Sequence, residues 1–308
     1  MSTLYIFLAF LAGCGLPLQA AANARLSKAL ASPFSAAALQ LALAAALLFV
    51  LAIASAEIRA MGTLAQAEWW QLSAGLASAA YVVAGIVLFP RLGAVATVGL
   101  FIAGQALASL LLDGFGLLGI ARRVPGPFTW LGAACVAAGI ALIVRGQGRA
   151  AGPERLRMKA AWVALGAVCG GLLPVQGALN AGLARASGAP LAVSLTSFVV
   201  AAMGMAAILL AVIVLGIAGR PRLAGLCGMP WWGWLGGVVG ACYVTTVFTA
   251  MPVIGAAATV GFTIAGQQAV SMLIDRFGWL GLPKSAVSPV RLAGTMVLLA
   301  GVVSIKLF

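Results

Sequence analysis

Residues 13–26 read GCGLPLQAAANARL and residues 170–183 read GGLLPVQGALNAGL, so Gly, Pro, Gln, Asn and Leu recur at the same five places. A second pair of segments, 97–116 and 259–278, shares Thr-Val-Gly, Ile-Ala-Gly-Gln, Ser, Asp and Phe-Gly in one register. The offset between the copies is 157 residues in the first pair and 162 residues in the second. Matching segments at a nearly constant offset indicate that the chain contains two copies of one structural unit.

The composition indicates that both copies lie in a membrane. Hydrophobic residues make up 64% of the chain and charged residues only 7%, which is too few charges to cover a soluble domain. A helix needs about 20 apolar residues to cross the hydrocarbon core of a bilayer. Such runs predict an all-α integral membrane protein with ten transmembrane helices, five per repeat, at 3–24, 33–56, 68–89, 92–113, 127–145, 160–182, 190–217, 229–250, 254–275 and 289–307.

The basic residues predict how these helices are oriented. Thirteen of the 18 Lys and Arg residues fall on one side of the ten-helix topology and five on the other. Because the richer side is normally cytoplasmic, both termini are expected to be external. Five helices is an odd number, so the second repeat is inverted relative to the first. The expected organisation is a first repeat at 1–145, a cytoplasmic linker at 146–159 and an inverted second repeat at 160–308.

Topology also explains the net charge of +13. The basic residues lack the clustering and the interleaved aromatic residues of a nucleic-acid surface, so no nucleic-acid partner is predicted. The chain contains no histidine, which removes the Ser/His and Cys/His catalytic pairs and the usual His-containing metal sites. Five acidic residues are present, namely Glu57, Glu68, Asp113, Glu154 and Asp275. No catalytic residue, metal or cofactor is expected, and the protein is not predicted to be an enzyme.

The candidate functional residues are the polar side chains inside the predicted helices. Polar groups in hydrocarbon need partners or water, so each is either a helix-packing hydrogen bond or part of a site. In the fourth and ninth helices the polar residues step by four, which keeps them on one helical face. The repeat-related pairs are Gln19 and Gln176, Asn23 and Asn180, Tyr81 and Tyr243, Gln105 and Gln267, Ser109 and Ser271, and Asp113 and Asp275.

The motifs resemble the YdcZ-type branch of the drug/metabolite transporter superfamily. The resemblance rests on Gly-x-x-x-Pro-x-Gln-x-x-x-Asn-x-x-Leu and on Ile-Ala-Gly-Gln-(x3)-Ser-(x3)-Asp-x-Phe-Gly, and it covers both halves. It implies a fused pair of five-helix units in a bacterial inner membrane, with a central cavity lined by helices one, three, four, six, eight and nine. The first helix has no glutamate, unlike the small multidrug resistance relatives, which argues against antiport of polyaromatic cations and protons.

These features predict a secondary transporter for a small polar or zwitterionic metabolite, with one repeat moving against the other in alternating access. Export and proton coupling are left open, and the alternatives are a passive channel or facilitator and a non-transporting membrane subunit. The expected partners are a small-molecule substrate and membrane lipid, and the chain is expected to be a monomer or a loose dimer.

Two groups of side chains are expected to carry transport. The substrate site is expected between Gln105 and Gln267, with the two tyrosines nearby, because these lie closest to the bilayer midplane. Asp113 and Asp275, with Ser109 and Ser271 on the same faces, are expected to control the two mouths. In this hypothesis the amides of Gln176 and Asn180 bond Asp113, and those of Gln19 and Asn23 bond Asp275. The alternative is a purely structural role, in which both aspartates only end their helices.

Overall fold

The computed structural model describes residues 2–92, 94–123, 126–145, 156–281 and 289–307. Within these ranges the chain forms ten helices of 17 residues or more, here called α1 to α10. They are α1 (Ser2–Leu30), α2 (Pro33–Ala54), α3 (Leu76–Leu92), α4 (Ala94–Phe115), α5 (Pro127–Arg145), α6 (Leu156–Ser187), α7 (Pro190–Val214), α8 (Leu235–Ile254), α9 (Ala256–Phe277) and α10 (Pro289–Leu307).

The described helices follow the predicted order. Among the described residues, eight helical segments are long and apolar enough to cross a membrane. A shorter apolar stretch, Pro127–Gly139, lies in α5. The all-helical membrane fold of two like halves is therefore supported by the structure. The exact number of ten crossings and the inversion of the second repeat stay predictions.

Several helix ends differ from the predicted ones. The first helix of each repeat runs past the expected ends at 24 and 182 to Leu30 and Ser187. Hydropathy marks where the apolar run stops, but Ala, Leu, Arg and Lys continue a helix readily in water. In contrast, α3 and α8 begin later than expected. A short helix at Trp69–Leu72 and 3₁₀ turns precede them, with exposed indoles that suit the membrane interface.

Helices of the two repeats interleave instead of forming two separate bundles. Helix α6 of the second repeat packs along α4 and α3 of the first, and α1 of the first repeat packs along α9 and α8 of the second. Helices α2 and α7 pair with each other, as do α5 and α10. Neither repeat is thus a separate packing unit. The expectation that one five-helix repeat moves against the other concerns motion and stays a prediction.

Glycines of the repeated motifs produce the closest of these helix contacts. A Cβ atom at Gly13 in α1 would overlap the carbonyl of Thr263 in α9, and one at Gly170 in α6 would overlap the carbonyl of Phe101 in α4. The two contacts are equivalent, because 13 and 170 differ by 157 and 101 and 263 by 162. Small residues let membrane helices approach until their backbones touch. The motif glycines therefore serve helix packing.

The Phe-Gly pair that ends each second motif is a helix terminator. Gly116 and Gly278 have φ angles of 65° and 66°, in the left-handed region that glycine adopts without strain. The amide of Gly278 donates to the carbonyl of Ile274 at 2.8 Å, which completes the end of α9. The aspartate two residues before each Phe-Gly therefore lies in the last turn of its helix.

We expect Gly170→Ala to destabilise the protein by about 1–3 kcal/mol, the usual cost of overpacking a tight contact. Gly182→Ala is the matched control, because Gly182 lies in the same helix and no neighbouring atom lies within 4 Å of the added Cβ. Both changes gain helix propensity, so only the contact with Phe101 separates them. Thermal unfolding in detergent measures the difference, and equal midpoints would contradict the tight α4–α6 contact.

Candidate functional site

The carboxylate of Asp113 joins the end of α4 to the start of α9. Its Oδ1 accepts a hydrogen bond from the backbone amide of Ala256, and its Oδ2 accepts one from Ala257, both at 2.8 Å. The first amides of a helix have no partner within that helix, and the helix dipole favours a negative charge there. A buried carboxylate of the first repeat therefore caps a helix of the second repeat.

The turn between α8 and α9 is shaped to receive this carboxylate. Gly255 has a φ angle of 91°, and a Cβ atom there would lie 3.0 Å from the Asp113 Oδ2 and 3.0 Å from the Arg123 Cζ. The Arg123 guanidinium donates to the carbonyl of Val253 at 3.4 Å, and its backbone amide donates to the carbonyl of Asp113 at 2.8 Å. One acidic and one basic residue of the first repeat thus hold the same turn of the second.

Gln176 and Asn180 have different partners from the expected ones. The amide nitrogens of Gln176 and Asn180 donate to the Ser197 hydroxyl oxygen at 3.1 Å and 3.2 Å. The Ser78 hydroxyl donates to Gln176 Oε1 at 2.9 Å. Asp113 instead bonds the uncapped amides of α9. The side-chain amides tie α6 to α7 and to α3 of the first repeat.

The equivalent cluster around Gln19 and Asn23 is not hydrogen-bonded in the same way. Gln40 stands where the second repeat has Ser197, and Gly240 stands where the first repeat has Ser78. In the described part of the chain, Asn23 Oδ1 and Gln40 Oε1 are buried without a hydrogen-bond partner. A Cβ atom at Gly240 would lie 2.9 Å from Gln19 Nε2, so this amide packs on the backbone of α8.

The two tyrosines come together near the middle of the protein. The Tyr81 ring lies 4.3 Å from the Phe101 ring between centroids. The Tyr243 hydroxyl interacts with that of Thr263, and the two phenols are close enough to interact electrostatically. Tyr243 is buried and Tyr81 is partly buried. Aromatic and hydroxyl groups from α3, α4, α8 and α9 thus meet in one region.

The remaining candidate residues lie on α4 and α9, which pack against each other. Gln105 is buried and Gln267 is partly exposed, and neither amide has a hydrogen-bond partner among the described residues. The Ser109 hydroxyl donates to the carbonyl of Ala106 in its own helix at 2.9 Å, and Ser271 is partly exposed. Asp275 is in the last turn of α9, and its side chain is outside the described residues.

A second carboxylate cap was missed by sequence reasoning. Glu57, in the loop after α2, accepts hydrogen bonds at Oε2 from the backbone amides of Leu191, at 2.6 Å, and Ala192, at 3.3 Å. These are the first amides of α7, which is preceded by Ala189 and has no side-chain cap of its own. A helix start without Ser, Thr, Asp or Asn is the sequence feature that could have pointed to a distant cap.

Comparisons with known proteins agree with this architecture. A family model described as "Putative inner membrane exporter, YdcZ" matches residues 4–142 and 161–304, which are the two repeats. A crystal structure matches over 98% of this chain and 95% of its own, with a TM-score of 0.67 and 19% identity, which shows a shared fold. No curated protein matches this chain.

Two like halves and eight apolar stretches in the described helices define a helical membrane protein, and the family match supports a role in membrane transport. The family match covers nearly the whole chain. The protein belongs to the YdcZ family of inner membrane exporters within the drug/metabolite transporter superfamily.

Proposed function

We propose that this protein is a secondary transporter that exports a small polar or zwitterionic solute by alternating access. The observation that carries the proposal is a difference in burial between residues related by the repeat. Four side chains are buried, namely Gln105, Ser109, Gln176 and Asn180, at 3%, 1%, 2% and 1% exposure. Their counterparts are all partly exposed, namely Gln267, Ser271, Gln19 and Asn23.

The difference has a direction across the molecule. Ser109, Gln176 and Asn180 lie toward the end where Asp113 caps α9, here called the Asp113 side, and their counterparts lie toward the opposite end. Gln105 and Gln267 lie nearer the middle. Gly177 in α6 is buried against Val247 and Met251 of α8, whereas its counterpart Ala20 in α1 is exposed. The tyrosine pair, near the middle, does not follow the trend. Two like halves in unlike arrangements are what alternating access requires, because exchanging the arrangements opens the other end.

The charge distribution assigns the two ends in this proposal. Arg25 and Lys28 lie in the last turns of α1, away from the Asp113 side. Helix α5 ends and α6 begins at that same end, and the sequence that joins them is basic. The positive-inside rule makes that end cytoplasmic and the Asp113 side external. The arrangement described above is then closed to the outside and open toward the cytoplasm.

The substrate class follows from the groups near the middle. Tyr81, Tyr243, Gln105 and Gln267 offer hydrogen-bond donors and acceptors without a fixed charge. Such groups suit a neutral or zwitterionic solute, held at the interface of the two halves. Asp113 and Asp275 are the two acidic residues in the long described helices, so we assign any proton coupling to them.

The proposed topology predicts the location of the C-terminus. A reporter enzyme that is active only outside the cytoplasm, fused after Phe308, should be active in whole cells. The same reporter inserted into the linker at 146–155 should be inactive and serves as the control. Activity of a cytoplasm-only reporter after Phe308 would contradict the external assignment of both termini.

The two aspartates should have opposite effects on access. Asp113→Asn removes the charge and one of two acceptor oxygens at the start of α9, so external opening becomes easier. We expect faster labelling of Ala257→Cys by a membrane-impermeant maleimide added outside, in a background lacking the five native cysteines.

Asp275→Asn should not raise this labelling, because it weakens closure of the opposite mouth. Equal labelling in the two variants would mean that the aspartates only end their helices.

The proposed substrate site is tested through ligand binding. Thermal-shift screening of small neutral and zwitterionic metabolites should find ligands that stabilise the native protein. Gln105→Ala and Gln267→Ala should weaken that stabilisation, because the amides bond the solute. Gln268→Ala is the matched control, since Gln268 is a buried amide on a different face of α9. Unchanged binding in both glutamine variants would place the site elsewhere. Saturable counterflow of the same ligand in proteoliposomes would separately distinguish a carrier from a channel.

A further inference from the structure

The two repeats provide a way to separate fixed contacts from changing ones. If the two access states exchange the arrangements of the two halves, a contact that has the same form in both copies persists in both states. A contact that is present in one copy only is made and broken during the cycle. This reasoning rests on the proposed function and uses only contacts within the described ranges.

The contacts between α4 and α6 have the same form as those between α9 and α1. Gly170 against Phe101 is equivalent to Gly13 against Thr263, as described above. In addition, a Cβ atom at Gly104 would overlap the carbonyl of Ala167 in α6, and its counterpart Gly266 faces the carbonyl of Phe10 in α1 in the same way. These backbone contacts therefore persist, and they join α4 to α6 and α9 to α1.

Helices α3 and α8 contact these pairs at matching positions, through a hydrogen bond in one copy and backbone packing in the other. Gln176 of α6 lies against Ser78 of α3, and Gln19 of α1 lies against Gly240 of α8. Gly75, just before α3, faces the carbonyl of Ser197 in α7. Its counterpart is Gly237 in α8, where a Cβ would lie 2.7 Å from the carbonyl oxygen of Gln40 in α2. The matched contacts thus also include α7 on one side and α2 on the other.

The unmatched contacts fall between these two groups of helices. Gly177 of α6 packs on Val247 of α8, but Ala20, the counterpart of Gly177, is exposed. Asp113 of α4 also caps α9, and Arg123 reaches the carbonyl at the end of α8, across the same boundary; the side chains at the equivalent positions, 94, 95, 275 and 285, are outside the described part of the chain, so these two contacts are not used to compare the copies. Glu57, after α2, caps α7. All of these contacts lie on the Asp113 side.

We infer that the moving units are not the two sequence repeats but two mixed bodies. Body A contains α3, α4, α6 and α7, and body B contains α1, α2, α8 and α9. Each body contains two helices from the first repeat and two from the second. Asp113, Arg123 and Glu57 hold the two bodies together on the external side, and the substrate site lies between Tyr81 of body A and Tyr243 of body B.

Disulfide cross-links distinguish mixed bodies from repeats, because the two descriptions predict opposite results. Ala108→Cys with Gly171→Cys joins α4 to α6 inside body A but across the repeats, with a Cβ–Cβ distance of 3.4 Å. Gly15→Cys with Val239→Cys joins α1 to α8 inside body B and also across the repeats, at 3.9 Å. Both distances suit a disulfide.

The third pair joins the bodies but lies within one repeat. A Cβ atom at Gly177 would lie 3.3 Å from Val247 Cγ1, the place that a cysteine sulfur would take, so Gly177→Cys with Val247→Cys links α6 to α8. The experiment is done in the cysteine-free Asp113→Asn protein in membranes, with Ala257→Cys as the external reporter. Maleimide labelling of this reporter is compared before and after oxidation.

With mixed bodies, the first two cross-links leave the labelling of the Ala257→Cys reporter unchanged, and the third abolishes it. If the repeats move as units, the first two cross-links abolish the labelling and the third does not, which would overturn the inference. No labelling in the Asp113→Asn protein without any cross-link would contradict the proposed alternating access itself, so the two failures are distinguishable.

Glu57 provides an independent test with a matched control. Glu57→Gln loses the charged cap between α2 and α7, so it should raise the labelling of the Ala257→Cys reporter. Glu68→Gln, in the same loop, should not, because Glu68 makes no capping bond to its own helix start. If Glu57→Gln only lowers the unfolding temperature and leaves the labelling unchanged, α2 and α7 belong to one static unit and the assignment of the bodies is wrong.

Discussion

Close backbone contact at glycine between helices of opposite repeats is the constraint on which the rest of this structure depends. In a bilayer there is little hydrophobic gain from bringing helices together, so association relies on close packing and hydrogen bonds. Gly13, Gly104, Gly170 and Gly266 remove the side chains that would keep α1 from α9 and α4 from α6. Each half therefore packs its first helix into the other half, and neither half can form its core alone.

This exchange of helices determines where polar groups can find partners. Helices α7 and α9 begin after Ala189 and Gly255, neither of which provides a side-chain cap. Their first amides are bonded instead by Glu57 and Asp113 from the other repeat. In contrast, α2 begins at a Ser32 cap that bonds its own helix. A helix start without its own cap thus depends on a side chain from the other repeat. Such contacts join the two repeats strongly, but they can be broken together if the repeats' helices separate.

The sequence predicts the order of the helices and the two like halves, because it contains repeated motifs and long apolar runs. Two motif copies predicted two like halves, and apolar runs placed the helices to within a few residues at most ends. The partners of single polar side chains could not be predicted, since a four-residue spacing defines a helical face but not the element opposite it. The 157-residue offset continues from Pro33 and Pro190 into α2 and α7. The sequence therefore does predict that Gln40 and Ser197 occupy equivalent positions in the two repeats. The cap that Glu57 provides could not be predicted, because no local sequence pattern connects Glu57 to α7.

The sequence also makes the two closures unequal in the proposed cycle. Asp113 and Asp275 correspond, but the places that correspond to Glu57 are Val214 by the first offset and Gly219 by the second, and neither is acidic. In the proposed cycle, the Glu57 cap of external closure therefore has no acidic counterpart at the equivalent positions for cytoplasmic closure. A hydrogen bond to a charged group contributes about 1.5–3 kcal/mol, and about 1.4 kcal/mol changes an equilibrium tenfold. In that cycle the Glu57 cap shifts the equilibrium toward the form closed to the outside. Under the proposed topology this bias favours the form open toward the cytoplasm, which is the side from which an exporter binds its solute.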